Sequence, residues 1–209
     1  MSELETIRLA LKTKISKISW DIDGWLIILK DSNISSIKAT RRQVGISFDW
    51  EWHFVAPVII SEGDGSDGLT LYREMKRREV QIKRKGIFRY NYAWVTAELL
   101  ERVFPEIVPV PDLREYLNSD RELLKLLKRS SLDELYVNTY FELLGASSPD
   151  EALRRYYESP QIVGWLITAV KGPGSEWRFG QIVRRVYELL DYLAARLIEF
   201  TRRLESATA

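Results

Sequence analysis

The hydrophobic pattern changes period once along the chain, near residue 92. Before that point apolar residues come in short alternating runs broken by Gly, Asp and Ser. Lys17-Ile18-Ser19-Trp20-Asp21-Ile22, then Asp23-Gly24, then Trp25-Leu26-Ile27-Ile28-Leu29 reads as strand, two-residue turn, strand. Asp-Gly suits a turn whose two residues both take positive φ. A third strand is expected over Ser36 to Arg41, with β character continuing from Val44 to Phe48. Two more are expected over Leu69 to Arg73 and Arg78 to Lys85. The run from Trp50 to Ile60 is apolar enough for a buried strand, but Pro57 argues against a helix interior and against a central strand. Ahead of all these, Ser2-Glu3-Leu4-Glu5 is a capping box for a short helix presenting Leu4, Ile7 and Leu11.

After residue 92 a helical period takes over. Ala93 to Phe104 is expected as a helix ended by Pro105, and Pro105, Pro109 and Pro111 as a stiff connector. Ser119 is expected to cap a helix carrying Leu123, Leu124, Leu126 and Leu127. Ser131-Leu132-Asp133-Glu134 and Ser148-Pro149-Asp150-Glu151 read as two further capping boxes, the first helix stopping at Gly145. Ser159-Pro160 opens another helix through Val170. The last helix is expected from Arg178 to Glu205. Phe179, Val183, Val186, Leu190, Leu193, Leu197, Phe200 and Leu204 alternate steps of four and three residues, the spacing of a packed seam. Ile182, Leu189, Ala194 and Ile198 widen it, so this helix needs cover on more than one side, from its own chain or from another subunit. The fold class that follows is α+β: an antiparallel β-rich domain with a short N-terminal helix over residues 1–91, then an all-helical bundle over 92–209 with a long C-terminal helix.

Composition narrows the chemistry. With 209 residues, 45% of them hydrophobic, the chain can bury a full core. A net charge of +1 supplies no global field for nucleic acid or an acidic membrane. The absence of cysteine excludes disulfides, thiolate zinc sites and cysteine nucleophiles, and a single His53 speaks against a histidine-rich metal site. No apolar run reaches the roughly 20 residues of a membrane span, and no signal-peptide core opens the chain. A cytoplasmic, nucleoid-associated protein without a cofactor is expected, and the Arg-, Glu-, Ile- and Tyr-rich composition suits a thermophile.

Three local constellations bear on function. Asp21-Ile22-Asp23 resembles the paired aspartates of primase-type metal sites, although hairpin chemistry already accounts for Asp23-Gly24. Phe54 to Ser66 resembles the motif helix of LAGLIDADG homing endonucleases, with Asp64 at its acidic foot. Pro57 and Ile59 stand where that family has small residues, and a solvated acidic loop over Glu62 to Gly68 is the better reading of the stretch. Arg73, Lys76, Arg77, Arg78, Lys83, Arg84, Lys85 and Arg89 form the densest basic stretch. Lys76, Arg77, Lys83 and Lys85 are its candidate nucleic-acid contacts, with Phe88, Tyr90 and Tyr92 available for stacking. The alternative is a charged edge strand kept soluble by Lys and Arg.

From residue 92 onward the order of motifs resembles that of a GINS complex subunit, the small replication factor of archaea and eukaryotes, of the type whose β domain precedes its helical domain. Tyr92-Ala93-Trp94-Val95-Thr96-Ala97-Glu98-Leu99-Leu100 is similar to the helix that opens the family's helical domain, although it lacks that helix's proline. Tyr140-Phe141-Glu142-Leu143-Leu144 resembles its paired-aromatic helix. The resemblance spans about residues 92–204. It implies a non-enzymatic scaffold that activates a replicative helicase, in a homo- or hetero-oligomer with a sister GINS subunit, the MCM helicase and a Cdc45/RecJ-like protein. It also implies that Trp94, Tyr140, Phe141 and Glu142 form the helical core, while Leu190, Leu193, Leu197 and Phe200 face a neighbouring subunit. A nucleic-acid-binding regulator and a degenerate LAGLIDADG-like metal-dependent nuclease are the alternatives from other functional classes.

Overall fold

The computed structural model describes residues 3–21, 24–43, 50–62, 79–85, 91–96, 111–138, 161–171 and 176–208. Strands β1 (Ile15–Asp21), β2 (Gly24–Leu29), β3 (Ser36–Gln43), β4 (Trp50–Glu62), β5 (Val80–Lys85), β6 (Asn91–Thr96), β7 (Glu134–Asn138) and β8 (Gln161–Lys171) form one sheet in the order β1-β2-β3-β4-β8-β7-β5-β6. Every pairing is antiparallel. Four helices are described: α1 (Glu3–Leu11), α2 (Pro111–Ser119), α3 (Arg121–Ser130) and α4 (Glu176–Thr208). At 33 residues, α4 is about 50 Å long. The α+β class and the long last helix are as expected. No described helix is long and apolar enough to cross a membrane.

The core lies between one face of the sheet and α4. Ile27, Ile37, Ala39, Trp52, Phe54, Ala56, Val58, Leu135, Val137, Leu166 and Trp94 come from the strands; Phe179, Val186, Leu190 and Leu193 come from the helix. The Trp52 and Phe179 rings stack at 4.2 Å and fix the start of α4 on β4. Helices α1 and α3 flank α4.

The hairpin forms two residues out of the expected register, its turn centred one residue earlier, so each strand keeps its faces. Asp21 pairs with Gly24, so Gly24 belongs to the strand and not to the turn. Its lack of a side chain serves close approach: a Cβ there would lie 2.5 Å from the Ala39 carbonyl oxygen on β3. Pro57 does sit within a long interior strand. The β3–β4 ladder ends at Val55, so Pro57 pairs only with Trp165 of β8. The missing N–H therefore breaks no ladder on that side.

The helical domain expected over 92–209 requires correction. Residues 91–96 are β6, 134–138 are β7 and 161–171 are β8, where helices were expected over 93–104, 131–145 and 160–170. β7 and β8 stand between β4 and β5, so the sheet runs continuously across the expected boundary at residue 92. Ser131 does not open a helix; it ends α3 in the left-handed conformation (φ 53°). The N-cap of α3 is Asp120, not Ser119, its carboxylate accepting from the Glu122 and Leu123 N–H groups at 3.0 Å each. The LAGLIDADG-like reading also loses its helix, because Trp50–Glu62 is strand.

Candidate functional site

The expected partner-facing residues Leu190, Leu193, Leu197 and Phe200 are 0%, 0%, 2% and 6% exposed. Their own chain covers them, which overturns their assignment to an intersubunit face. The Phe200 ring lies 5.3 Å from Tyr116 of α2, and α3 runs alongside. Trp94 is buried as expected, but on a strand: its N–H and C=O bond the side-chain amide of Asn118 at 2.8 and 3.0 Å. The helix with which the GINS resemblance begins is thus strand over 93–96. Tyr140, Phe141, Glu142, Lys76, Arg77, Asp23 and Asp64 lie outside the described residues. Lys83 is exposed on β5, and Lys85 is its last residue. Arg84 lies 2.5 Å from Asp133, so it is a partnered cation. His53 Nε2 is 2.9 Å from Glu51 Oε2, a local pair on β4. The described residues hold no group of three or more His, Asp or Glu placed to bind a metal ion.

The densest polar network ties α4 to α2 and α3. Asp120, its side chain 6% exposed, lies 2.7 Å from Arg196 Nε and accepts from the Tyr192 hydroxyl at 3.2 Å. Arg196 also pairs with Glu199, which in turn pairs with Arg203. Both guanidinium groups lie over the Tyr116 ring, at 4.8 and 5.2 Å. Burial, followed by the neighbouring Glu199, raises the Tyr116 hydroxyl above the ordinary tyrosine range. Burial, then Asp120, does the same to Tyr192. Glu199 is held below the usual carboxylate range, chiefly by the Tyr116 hydroxyl; desolvation opposes this, and Arg203 and Arg196 add to the lowering. Two carboxylates and two guanidinium groups balance here, and the arrangement is a clamp between helices.

The opening that invites a ligand lies at the other end of α4. Thr6, Leu9 and Ala10 of α1 and Trp177, Gly180, Gln181 and Arg184 of α4 line a groove of about 360 Å³. It continues past Leu9 and Ala10 into a second hollow of about 340 Å³, reaching Lys12, Lys14, Tyr187 and Glu188. Trp177 is 73% exposed and Leu9 49%. The floor is low because α1 and α4 approach closely: a Cβ at Gly180 would lie 3.0 Å from the Thr6 methyl. Arg184, Lys12 and Lys14 give the groove a basic rim against one acid, Glu188, which Arg184 holds at 2.9 Å. Trp177 and Leu9 do not emerge from periodicity, since both fall off the apolar stripes. The lone glycine inside a strongly helical run was the available signal, marking where another backbone comes close. Comparison with known proteins found no matching family model, no matching curated protein and no matching solved structure.

Proposed function

We propose that the chain is a non-catalytic scaffold that binds an acidic amphipathic helix of a partner protein along the α1/α4 groove. The observation that supports this reading most is the pairing of a large exposed aromatic, Trp177, with a low floor at Ala10 and Gly180 and a basic rim. A helix lying there as a third member of the layer would set apolar side chains at i, i+4 and i+7 against Trp177 and Leu9. Its acidic residues would then meet Arg184, Lys12 and Lys14. The scaffold role agrees with what the GINS resemblance implies. The replication setting does not carry over on the same footing, because Leu190, Leu193, Leu197 and Phe200 are internal and Trp94 is on a strand.

The test uses two designed 20-residue amphipathic peptides with the same Leu face, one with Glu and one with Lys on the polar face, and a short duplex DNA. The acidic peptide is expected to bind at least about tenfold more tightly than the basic one. Trp177→Ala and Arg184→Gln should each weaken it with little change in melting temperature, since the Arg184–Glu188 pair is exposed. Equal affinity for both peptides, or affinity unchanged in both variants, overturns the reading. Duplex binding that is lost in Lys83→Ala, with neither peptide bound, would transfer the function to the basic strands.

A further inference from the structure

The two rims of the sheet are finished differently. On the β6 rim, Asn118 accepts from the Trp94 N–H and donates to the Trp94 carbonyl, so a side-chain amide stands where a further strand would pair. On the β1 rim no described residue pairs with the outer side of Ile15–Asp21. Trp20 lies on that rim, 62% exposed even though its ring meets Trp25 edge-on at 4.8 Å. Ser16 and Lys17 are exposed beside it. A rim left unpaired by the described residues is a template for another strand, and its sequence selects which one.

We propose that β1 pairs antiparallel with β1 of a second copy of this chain, about a two-fold axis at Ser19, joining the two sheets across their open rims. In this register Ser19 faces its own copy, Ile18 stands opposite Trp20, and Lys17 stands opposite Asp21. Ile18 and Trp20 share the face that carries Ile27 and Trp25, with which they pair on β2. Each exposed indole therefore gains the opposing Ile18 while keeping its own Trp25, and Lys17 and Asp21, of opposite charge, take paired positions in the register. Other registers are poorer. With Ile18 at the axis, Trp20 faces Ser16; with Lys17 at the axis, like charges face each other. A slip that changes residue parity sets the core face of one chain against the outer face of the other. The register irregularity between Ile15 and Lys17 leaves Lys17 to Asp21 as the regular part of β1, the same five residues that the dimer pairs.

The chain has no cysteine, so Ser19→Cys introduces a single thiol. Two such thiols directly across an antiparallel pair have Cα atoms about 4.5–5.5 Å apart, within disulfide reach. The full-length protein is expected to sediment as a dimer, and Ser19→Cys to oxidise to a disulfide-linked dimer. Lys17→Cys, about 13 Å from its own copy in this register, is expected to stay unlinked. Lys17→Asp should weaken the dimer about tenfold, and adding Asp21→Lys should restore it. Circular dichroism establishes that each variant is folded. A monomer up to about 100 μM, linkage of Lys17→Cys as readily as Ser19→Cys, or a dimer indifferent to Lys17→Asp but abolished by Trp177→Ala overturns the proposal.

Discussion

The first turns of α4 and its middle differ in who covers them. From Leu189 to Phe200 the apolar stripe is closed by α2, α3 and the sheet, and the polar residues between are clamped by Asp120 and by the β2–β3 loop. From that loop the Ser32 hydroxyl and the Asn33 N–H donate to the Asp191 carboxylate of α4, at 2.5 and 2.6 Å. At the start of the helix, Phe179 is seated on Trp52, yet Trp177 two residues earlier projects away from the fold. One helix thus serves as the spine of the fold and, at one end, as a surface. Width of an apolar stripe shows that cover is needed; it does not show that the cover is foreign.

The sharpest way to break this contrast is to cut into the middle. Leu193→Ala removes a fully buried side chain and should cost about 3 kcal/mol, lowering the melting temperature by roughly 9 °C in a chain of this size. Calorimetry checks it, and a loss below about 1 kcal/mol would mean that the stripe is not sealed from within.

A smaller loss is expected at the clamp. Asp120→Ala removes the α3 cap and strands Arg196, for about 2 kcal/mol. Asp120→Asn keeps a capping oxygen and should cost about half as much, read from urea unfolding. Equal losses in the two variants would assign the whole effect to the ion pair with Arg196, since Asn keeps the cap.

The smallest effect is in pH dependence. Tyr116 and Tyr192 have raised hydroxyl pKa values in the fold. Their contribution is therefore complete below the ordinary tyrosine pKa of about 10 and is lost as pH rises through the raised values. Glu199 is depressed, so its contribution holds above the ordinary carboxylate pKa and is lost as pH falls through the lowered value. Ultraviolet titration should show late-ionising tyrosines, one fewer in Tyr116→Phe and one fewer in Tyr192→Phe.

Much of this was legible in the sequence. The two hairpin strands, the β3 strand, the α+β class and the packed seam of α4 follow from period, whereas the Asp-Gly turn signal misplaced the hairpin's register. The three misread segments share a cause. Asn91–Thr96, Glu134–Asn138 and Gln161–Lys171 are short or nearly continuous apolar runs; β8 in particular is half-buried even on its outer face at Val163, Trp165 and Ile167. A strand with little exposed surface loses the alternation that would identify it. Capping residues then tipped the reading toward helix, although Ser131 was ending one helix and not opening the next. The groove was less legible still, because it depends on how closely α1 and α4 approach, and only Gly180 records that.

Asn118 has a consequence for growth. Where it grips Trp94, it occupies that residue's outward N–H and C=O on the β6 rim, so among the described residues β1 is the rim left open to another strand. In the proposed pair the two β1 rims would meet and the rims left outside would be those that Asn118 guards, which limits further edge-to-edge growth.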